Sequence, residues 1–220
     1  MHGTTTTGKW VRIIAAGEHQ GRGAGSRERI LQAALRIASV RGYDGTTVKL
    51  ISEESGLPPS SLYWHFGNKD RLLAAALEHG FVEWGRGLAR QASPDPGEDL
   101  GVAVRHWFVR GLEAVVATPA AWQLGIMLSL QTPVDAVEAR QVFVDLHHRV
   151  VEAMADWWER ILPPEIADRA LARRLSASFL AVLDGLYVAH ASAIGWDLEA
   201  LADRFAAGVV AHLRRLQEEA

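Results

Sequence analysis

Apolar residues in this chain recur every three to four positions, which is the period of an amphipathic helix. Ile30, Ala34 and Ile37 follow this spacing along one predicted helical face. Runs that alternate apolar and polar residues, as half-buried strands require, are missing. The pattern therefore predicts an all-α fold.

Capping residues and helix breakers divide the pattern into about nine helices. Ser26 is predicted to cap the first helix, and Gly42 to end it. Asp95 and the following Pro96 are predicted to open the fifth helix. The expected helices cover residues 26–41, 47–54, 59–65, 69–92, 96–117, 119–130, 133–161, 164–193 and 198–218.

Residues 46–73 contain two short predicted helices joined by a glycine. Thr47 can cap the first of them, Gly56 can supply the turn, and Pro59 can begin the second. This arrangement is typical of a helix-turn-helix, whose second helix enters the major groove of DNA.

The second short helix carries three consecutive large rings. Leu62 and Phe66 are four positions apart and can both face the core. Tyr63, Trp64 and His65 must then point elsewhere, because so short a helix cannot bury all three. Their polar tips suit phosphates and base edges. Packing of Tyr63 or Trp64 between helices is the alternative interpretation.

The next predicted helix begins at Lys69. Its free N–H groups and the lysine ammonium can together bind a phosphate. A lysine that is simply solvated is the alternative.

Residues 26–75 resemble the TetR family of bacterial repressors. The matching residues are Ile30, Ala34, Ile37, Ala38, Gly42-Tyr43, Thr46-Thr47-Val48, Ile51-Ser52, Gly56-Leu57 and the run from Ser61 to Leu73. The DNA contacts expected on this basis are Thr47, Lys49, Ser61, Tyr63, Trp64, His65 and Lys69. Ser60 is expected to contact DNA as well, because it lies outside the core-facing positions of the second short helix. Two prolines, Pro58 and Pro59, depart from the family pattern, so the recognition helix lacks a side-chain cap and any Lys or Arg.

The resemblance implies an N-terminal DNA-binding domain followed by a larger helical domain. We expect a flexible arm at residues 1–25, the helix-turn-helix domain at 26–72, and a ligand-binding and dimerisation domain at 73–220. The last two long helices are expected to form the interface of a homodimer. One short helix reads few bases, whereas two read successive major grooves of a palindromic site.

The middle helices contain unusual aromatic bulk with interleaved polar groups. A small-molecule site needs an apolar pocket with a few polar groups, and a filled core is the alternative interpretation. The residues predicted to bind a small apolar or aromatic effector are Trp107, Trp122, Gln123, Met127, Phe143, His148, Trp158, Phe179, Asp184 and Tyr187.

The distribution of charge along the chain agrees with an N-terminal DNA-binding domain. Residues 1–71 have a net charge of +4 and residues 72–220 a net charge of −7. A basic segment on an acidic body is suited to a polyanion. The chain has no cysteine, which excludes disulfides and thiolate chemistry.

The sequence contains no recognisable set of catalytic residues. His147 and His148 are adjacent and have no partner at metal-ligand spacing, so neither a metal nor a cofactor is expected. We expect a cytoplasmic repressor without a membrane segment, released from its operator by the effector. The alternatives are an activator, a regulator without a ligand, and a helical enzyme or carrier with an idle helix-turn-helix.

Overall fold

The computed structural model describes residues 24–89, 98–131, 134–192, 195 and 197–219. Over these ranges the chain forms helices and no strand, as the apolar spacing predicts. Most of the predicted arm at residues 1–25 lies outside them. Its last two positions already belong to the first helix.

The described part of the chain contains nine helices. They are α1 (Ala24–Arg41), α2 (Val48–Ser55), α3 (Pro59–Phe66), α4 (Lys69–Ala89), α5 (Leu100–Ala117), α6 (Pro119–Gln131), α7 (Val137–Ile161), α8 (Arg169–Ala191) and α9 (Leu198–Glu219).

The predicted starts of two helices, α1 and α5, differ from the observed ones. Ser26 lies inside α1 and does not cap it, because the helix starts earlier, at Ala24. The cap before α5 is Asp99, whose carboxylate accepts hydrogen bonds from the N–H groups of Gly101 and Val102. The predicted capping residue Asp95 lies outside the described residues.

The predicted start of α8 also differs from the observed one. Residues 164–166 form a turn instead of the first turn of a helix. Asp168 then caps α8, because its side chain accepts a hydrogen bond of 3.1 Å from the N–H of Leu171. This capping bond offers a better helix start than Pro164, which has no polar side chain.

The described residues divide into two compact units that combine distant segments. One unit, here called the reading unit, contains residues 24–85 and 118–148. The other, the body unit, contains the described parts of residues 86–117 and 149–219. The division predicted between residues 72 and 73 follows the sequence motif and stays a prediction.

An aromatic cluster forms the core of the reading unit. The Phe81 ring stacks on Trp122 with centroids 5.0 Å apart, and Phe143 meets Phe81 edge-on at 5.9 Å. Trp84 packs against Trp122 at 5.1 Å. Burying each such side chain contributes roughly 1.5–3 kcal/mol, so this cluster is a main source of the unit's stability.

The body unit has its own aromatic core, built from α5, α7, α8 and α9. Trp107 lies between Trp157 and Phe179, at centroid distances of 4.4 and 4.2 Å. Phe108 stacks on Phe205 at 4.6 Å, which joins α9 to the same core.

Across the described helices, none alone is long and apolar enough to cross a membrane, although one bent pair of consecutive helices meets that test together.

Gly125 tests the packing of the reading unit. A Cβ atom at Gly125 would overlap the ring of Phe143, so Gly125→Ala should lower stability by about 1–3 kcal/mol. Thermal unfolding followed by circular dichroism measures the change. The control is Gly25→Ala, because a Cβ there meets no atom within 4 Å. Equal melting temperatures for the two variants would contradict the described packing.

Candidate nucleic-acid interface

The turn between α2 and α3 is closed by local hydrogen bonds. Thr47 caps α2 by accepting a bond of 3.2 Å from the N–H of Leu50. Gly56 ends α2 with a φ of 66°, a left-handed conformation that glycine adopts without steric cost. The Ser52 hydroxyl then donates a bond of 2.6 Å to the carbonyl of Leu57. These contacts fix the direction in which α3 starts.

Two apolar residues anchor α3. Leu62 is 2% exposed and Phe66 is 8% exposed. The guanidinium of Arg27 lies 5.5 Å from the centre of the Phe66 ring. Pro58 precedes α3 without a side-chain capping bond, and Pro59 occupies the first turn, as the sequence predicts. Packing and proline geometry therefore replace a polar cap at this helix.

The opposite face of α3 is open to solvent. Tyr63 is 54% exposed and Trp64 is 77% exposed, so the alternative in which they pack between helices is wrong. Ser60 is exposed and Ser61 is half-buried. Adjacent large aromatics that are exposed on a helix are typical of a binding surface. The DNA contacts assigned to these four residues stay predictions.

His65 is half-buried and lies beside Trp64, with ring centroids 4.6 Å apart. Burial lowers the pKa of His65, and the nearby charge of Arg27 lowers it further. A neutral imidazole at pH 7 offers one donor and one acceptor to a base edge or phosphate.

The two predicted contact residues near the start of α2 also face solvent. Thr47 is exposed, and the Lys49 side chain is 84% exposed, with its ammonium 3.9 Å from the Glu53 carboxylate. An exposed pair of this kind is weak, so Lys49 can exchange Glu53 for a phosphate at little cost.

Lys69 adopts an arrangement that neither sequence interpretation includes. Its ammonium donates a hydrogen bond of 3.0 Å to the carbonyl of Tyr43 and lies 4.0 Å from the centre of the Tyr43 ring. The ammonium has three donors, and this bond uses one of them. Lys69 thus ties the start of α4 to the loop after α1, and its phosphate contact stays a prediction.

Asp70 makes a junction that sequence reasoning missed. Its carboxylate oxygens accept hydrogen bonds of 2.8 and 3.0 Å from the N–H groups of Glu138 and Ala139, in the first turn of α7. A carboxylate at a helix N-terminus satisfies free N–H groups and complements the helix dipole. Asp70 could be recognised in the sequence as an acidic residue of the matched motif. Its partners could not, because they lie 68 and 69 positions further along the chain.

Tyr43 completes this junction. Its hydroxyl donates a hydrogen bond of 2.6 Å to the carbonyl of Asp135, just before α7. Burial raises the pKa of Tyr43 to about 12, with further contributions from Asp70, Asp135 and Asp44. The hydroxyl therefore stays protonated throughout the neutral range and keeps its donor role. We call Tyr43, Lys69, Asp70 and their bonds to residues 135–139 the α7 junction.

The residues predicted to bind an effector divide between the two units. Trp122, Gln123, Met127, Phe143 and His148 belong to the reading unit, whereas Trp107, Trp158, Phe179, Asp184 and Tyr187 belong to the body unit. Most of the aromatic members are buried, and His148 is exposed. The role of these residues in ligand binding stays a prediction.

Four buried indole N–H groups lack a hydrogen-bond acceptor among the described residues. They belong to Trp84, Trp107, Trp157 and Trp158. A buried donor without an acceptor costs about 1–3 kcal/mol. Three of the four lie together in the aromatic core of the body unit.

A groove in the body unit lies along α5 and α9, with a volume of about 520 Å³. Arg105 is one of the residues that line it, and it forms ion pairs with Asp203 and Glu199. None of the residues predicted to bind an effector lines this groove. Within the described ranges, no group of three or more His, Asp or Glu side chains could hold a metal ion.

A short helix that is anchored by apolar residues, follows a glycine turn and exposes aromatic and polar side chains defines a helix-turn-helix DNA-binding regulator. Residues 30–76 match the model of the bacterial regulatory proteins of the tetR family. The HTH-type transcriptional regulator BetI of Brucella canis is 29% identical over 168 residues, covering 75% of this chain and 79% of that protein.

Solved structures agree in fold. A TetR-family transcriptional regulator from Rhodococcus sp. has a TM-score of 0.65 at 18% identity, covering 86% of this chain and 98% of that one. AibR in complex with isovaleryl coenzyme A and operator DNA has a TM-score of 0.59 at 19% identity, covering 82% and 96%. Residues 30–76 of the chain thus form a DNA-binding segment of the tetR family of bacterial regulatory proteins.

Asp70→Asn tests the α7 junction. The amide keeps one acceptor and places a donor where a backbone N–H also donates. Stability should therefore fall by about 1–2 kcal/mol in urea unfolding. The matched control is Arg71→Gln, which removes an exposed ion pair with Glu138 and should cost under about 1 kcal/mol. An equal loss from both variants would contradict a structural role of the Asp70 carboxylate.

Proposed function

We propose that this chain is a dimeric transcriptional repressor that binds a palindromic operator through α3 and releases it when a small effector binds. The exposure of Tyr63 and Trp64 on an anchored helix is the observation that carries this proposal. Exposing a tryptophan costs free energy in the free protein, and contact with DNA offers a compensating gain. The base-reading surface would comprise Ser60, Ser61, Tyr63, Trp64 and His65.

The remaining predicted contacts would bind the backbone of the duplex. Thr47 and Lys49 lie at the start of α2, and Lys69 lies at the start of α4. Lys69 has free donors for a phosphate beyond its bond to Tyr43. Such contacts position the protein without reading sequence, and they make affinity depend on salt.

Dimerisation would make the short α3 sufficient for specificity. Two copies of α3 about 34–36 Å apart would read successive major grooves of a palindrome. We infer that α8 and α9 form the interface, as the family resemblance implies, through faces other than those that bury Phe179 and Phe205 in the body core. An obligate interface would bury on the order of 2,000 Å² or more.

An effector would act by favouring a state in which the spacing of the two α3 helices is wrong for the groove. A coupling free energy of about 1–3 kcal/mol would weaken operator binding roughly 5- to 150-fold. AibR, solved in complex with isovaleryl coenzyme A and operator DNA, supports only the premise that a protein of this fold can bind both a small molecule and DNA. The relatives are regulators by name, so we propose a regulatory and not an enzymatic role, exercised in the cytoplasm.

Tyr63→Ala tests the reading surface. The probe is a duplex selected by the full-length protein from a random 30-base-pair pool, and a scrambled duplex of the same composition is the reference. Loss of one base contact costs about 1–3 kcal/mol, so specific affinity should fall roughly 5- to 150-fold. Affinity for the scrambled duplex should stay unchanged.

Two further variants complete this test. Lys69→Ala should weaken binding to both duplexes by similar factors, because a phosphate contact carries no sequence information and Asp70 still holds the start of α4 to α7. Val40→Ala removes an apolar side chain that is 76% exposed on α1 and is not one of the predicted contacts, so it should leave both affinities unchanged. If Tyr63→Ala binds the selected duplex as tightly as the unchanged chain, α3 is not the reading helix.

A further inference from the structure

The aromatic core of the body unit contains a stack of three rings contributed by three helices. Trp157 of α7, Trp107 of α5 and Phe179 of α8 follow one another in this stack. Trp157 and Trp107 are nearly parallel, with an interplanar angle of 9° and centroids 4.4 Å apart. Phe179 lies 4.2 Å from Trp107 at 30°. A flat aromatic molecule is the kind of ligand that such rings can take between them.

Trp158 lies across this stack. Its ring makes angles of 77° with Trp107 and 80° with Trp157, at centroid distances of 6.0 and 5.0 Å. The N–H of an indole lies in the plane of its ring. A ring that stands across a stack can therefore direct its N–H toward the edge of the stacked rings.

The three tryptophans of this cluster, Trp107, Trp157 and Trp158, have buried indole N–H groups without an acceptor among the described residues. Trp158 is fully buried, and Trp107 and Trp157 are 2% and 1% exposed. No acceptor among the described residues reaches their N–H groups. A filled apolar core is better served by phenylalanine or leucine, which bring no donor to satisfy. A molecule that brings an acceptor to one of these donors would remove one such penalty.

We propose that this cluster is the effector site and that its ligand is a planar aromatic molecule with a carbonyl-type oxygen at its edge. The ligand inserts between Trp107 and Trp157, and its oxygen accepts a hydrogen bond from the N–H of Trp158. That this ligand acts as an effector rests on the proposed function, whereas its binding here does not.

Insertion has a mechanical consequence for the body unit. An aromatic ring adds roughly 3.5 Å to a stack, so α5 and α7 must separate at Trp107 and Trp157. A neutral oxygen suits the site better than a carboxylate, because burial of an uncompensated charge costs far more than burial of a carbonyl.

The test uses two flat three-ring molecules of nearly equal size, 9-fluorenone and fluorene, which differ in one carbonyl oxygen. The full-length protein is titrated with each, and indole N–H signals are followed by ¹H–¹⁵N NMR. One hydrogen bond predicts roughly 2- to 12-fold tighter binding of fluorenone, with the Trp158 N–H signal moving downfield only for that molecule. Equal affinity, or no binding of either molecule, overturns the proposal.

Two variants assign the effect to Trp158. Trp158→Phe removes the donor and keeps a ring, so it should abolish the preference for fluorenone. Trp84→Phe removes the fourth buried N–H, in the reading unit, and should leave the preference intact. A preference that survives Trp158→Phe contradicts the proposal. If that variant does not fold, the affinity ratio in the unchanged protein decides.

Binding of the selected DNA duplex is measured with the same protein preparation. This measurement distinguishes failure of the proposed ligand site from failure of the proposed function. Intact DNA binding with no fluorenone preference overturns the site and leaves the regulator. A fluorenone preference without any duplex binding supports the site and overturns the proposed function.

Discussion

The burial of Leu62 and Phe66 is the constraint on which the reading surface depends. A helix of eight residues is too short to be stable alone, so α3 forms because these two side chains hold it against its neighbours. Their spacing of four positions then decides which side chains face outward. Tyr63 and Trp64 are exposed as a consequence of this anchoring.

The α7 junction extends this constraint from α3 to the rest of the reading unit. Lys69 and Asp70 follow α3 after two intervening residues, and they bind Tyr43 and the first turn of α7. The direction of α3 is therefore tied to the start of α7. The far half of that same helix carries Trp157 and Trp158, whose N–H groups have no acceptor among the described residues.

Local features of the fold could be predicted from the sequence. The turn at Gly56, the Thr47 cap and the start of α3 at Pro59 each depend on residues within a few positions, and all three are observed. The predicted starts of α1, α5 and α8 were wrong because more than one residue near each could begin a helix. At α5 and α8, aspartates that the prediction passed over, Asp99 and Asp168, form the capping bonds.

Long-range features escaped prediction for a different physical reason. The partners of Asp70 are backbone N–H groups, which carry no residue-specific signal in a sequence. The bond from Lys69 to the Tyr43 carbonyl is hidden in the same way. The predicted effector residues shared bulk and apolar character, but these properties do not distinguish two separate cores from one pocket. The structure shows that Trp122 belongs to the reading unit and Trp107 to the body unit.

The central claim is that α3 meets DNA with its exposed face, and site-specific alkylation tests it most directly. Because the chain has no cysteine, Ser60→Cys introduces a single thiol on that face, and Glu165→Cys introduces one in the exposed turn before α8. Both thiols should react rapidly with a maleimide in the free protein. The selected duplex should slow the reaction at position 60 and leave that at position 165 unchanged. Equal reactivity at position 60 with and without bound duplex would contradict the account.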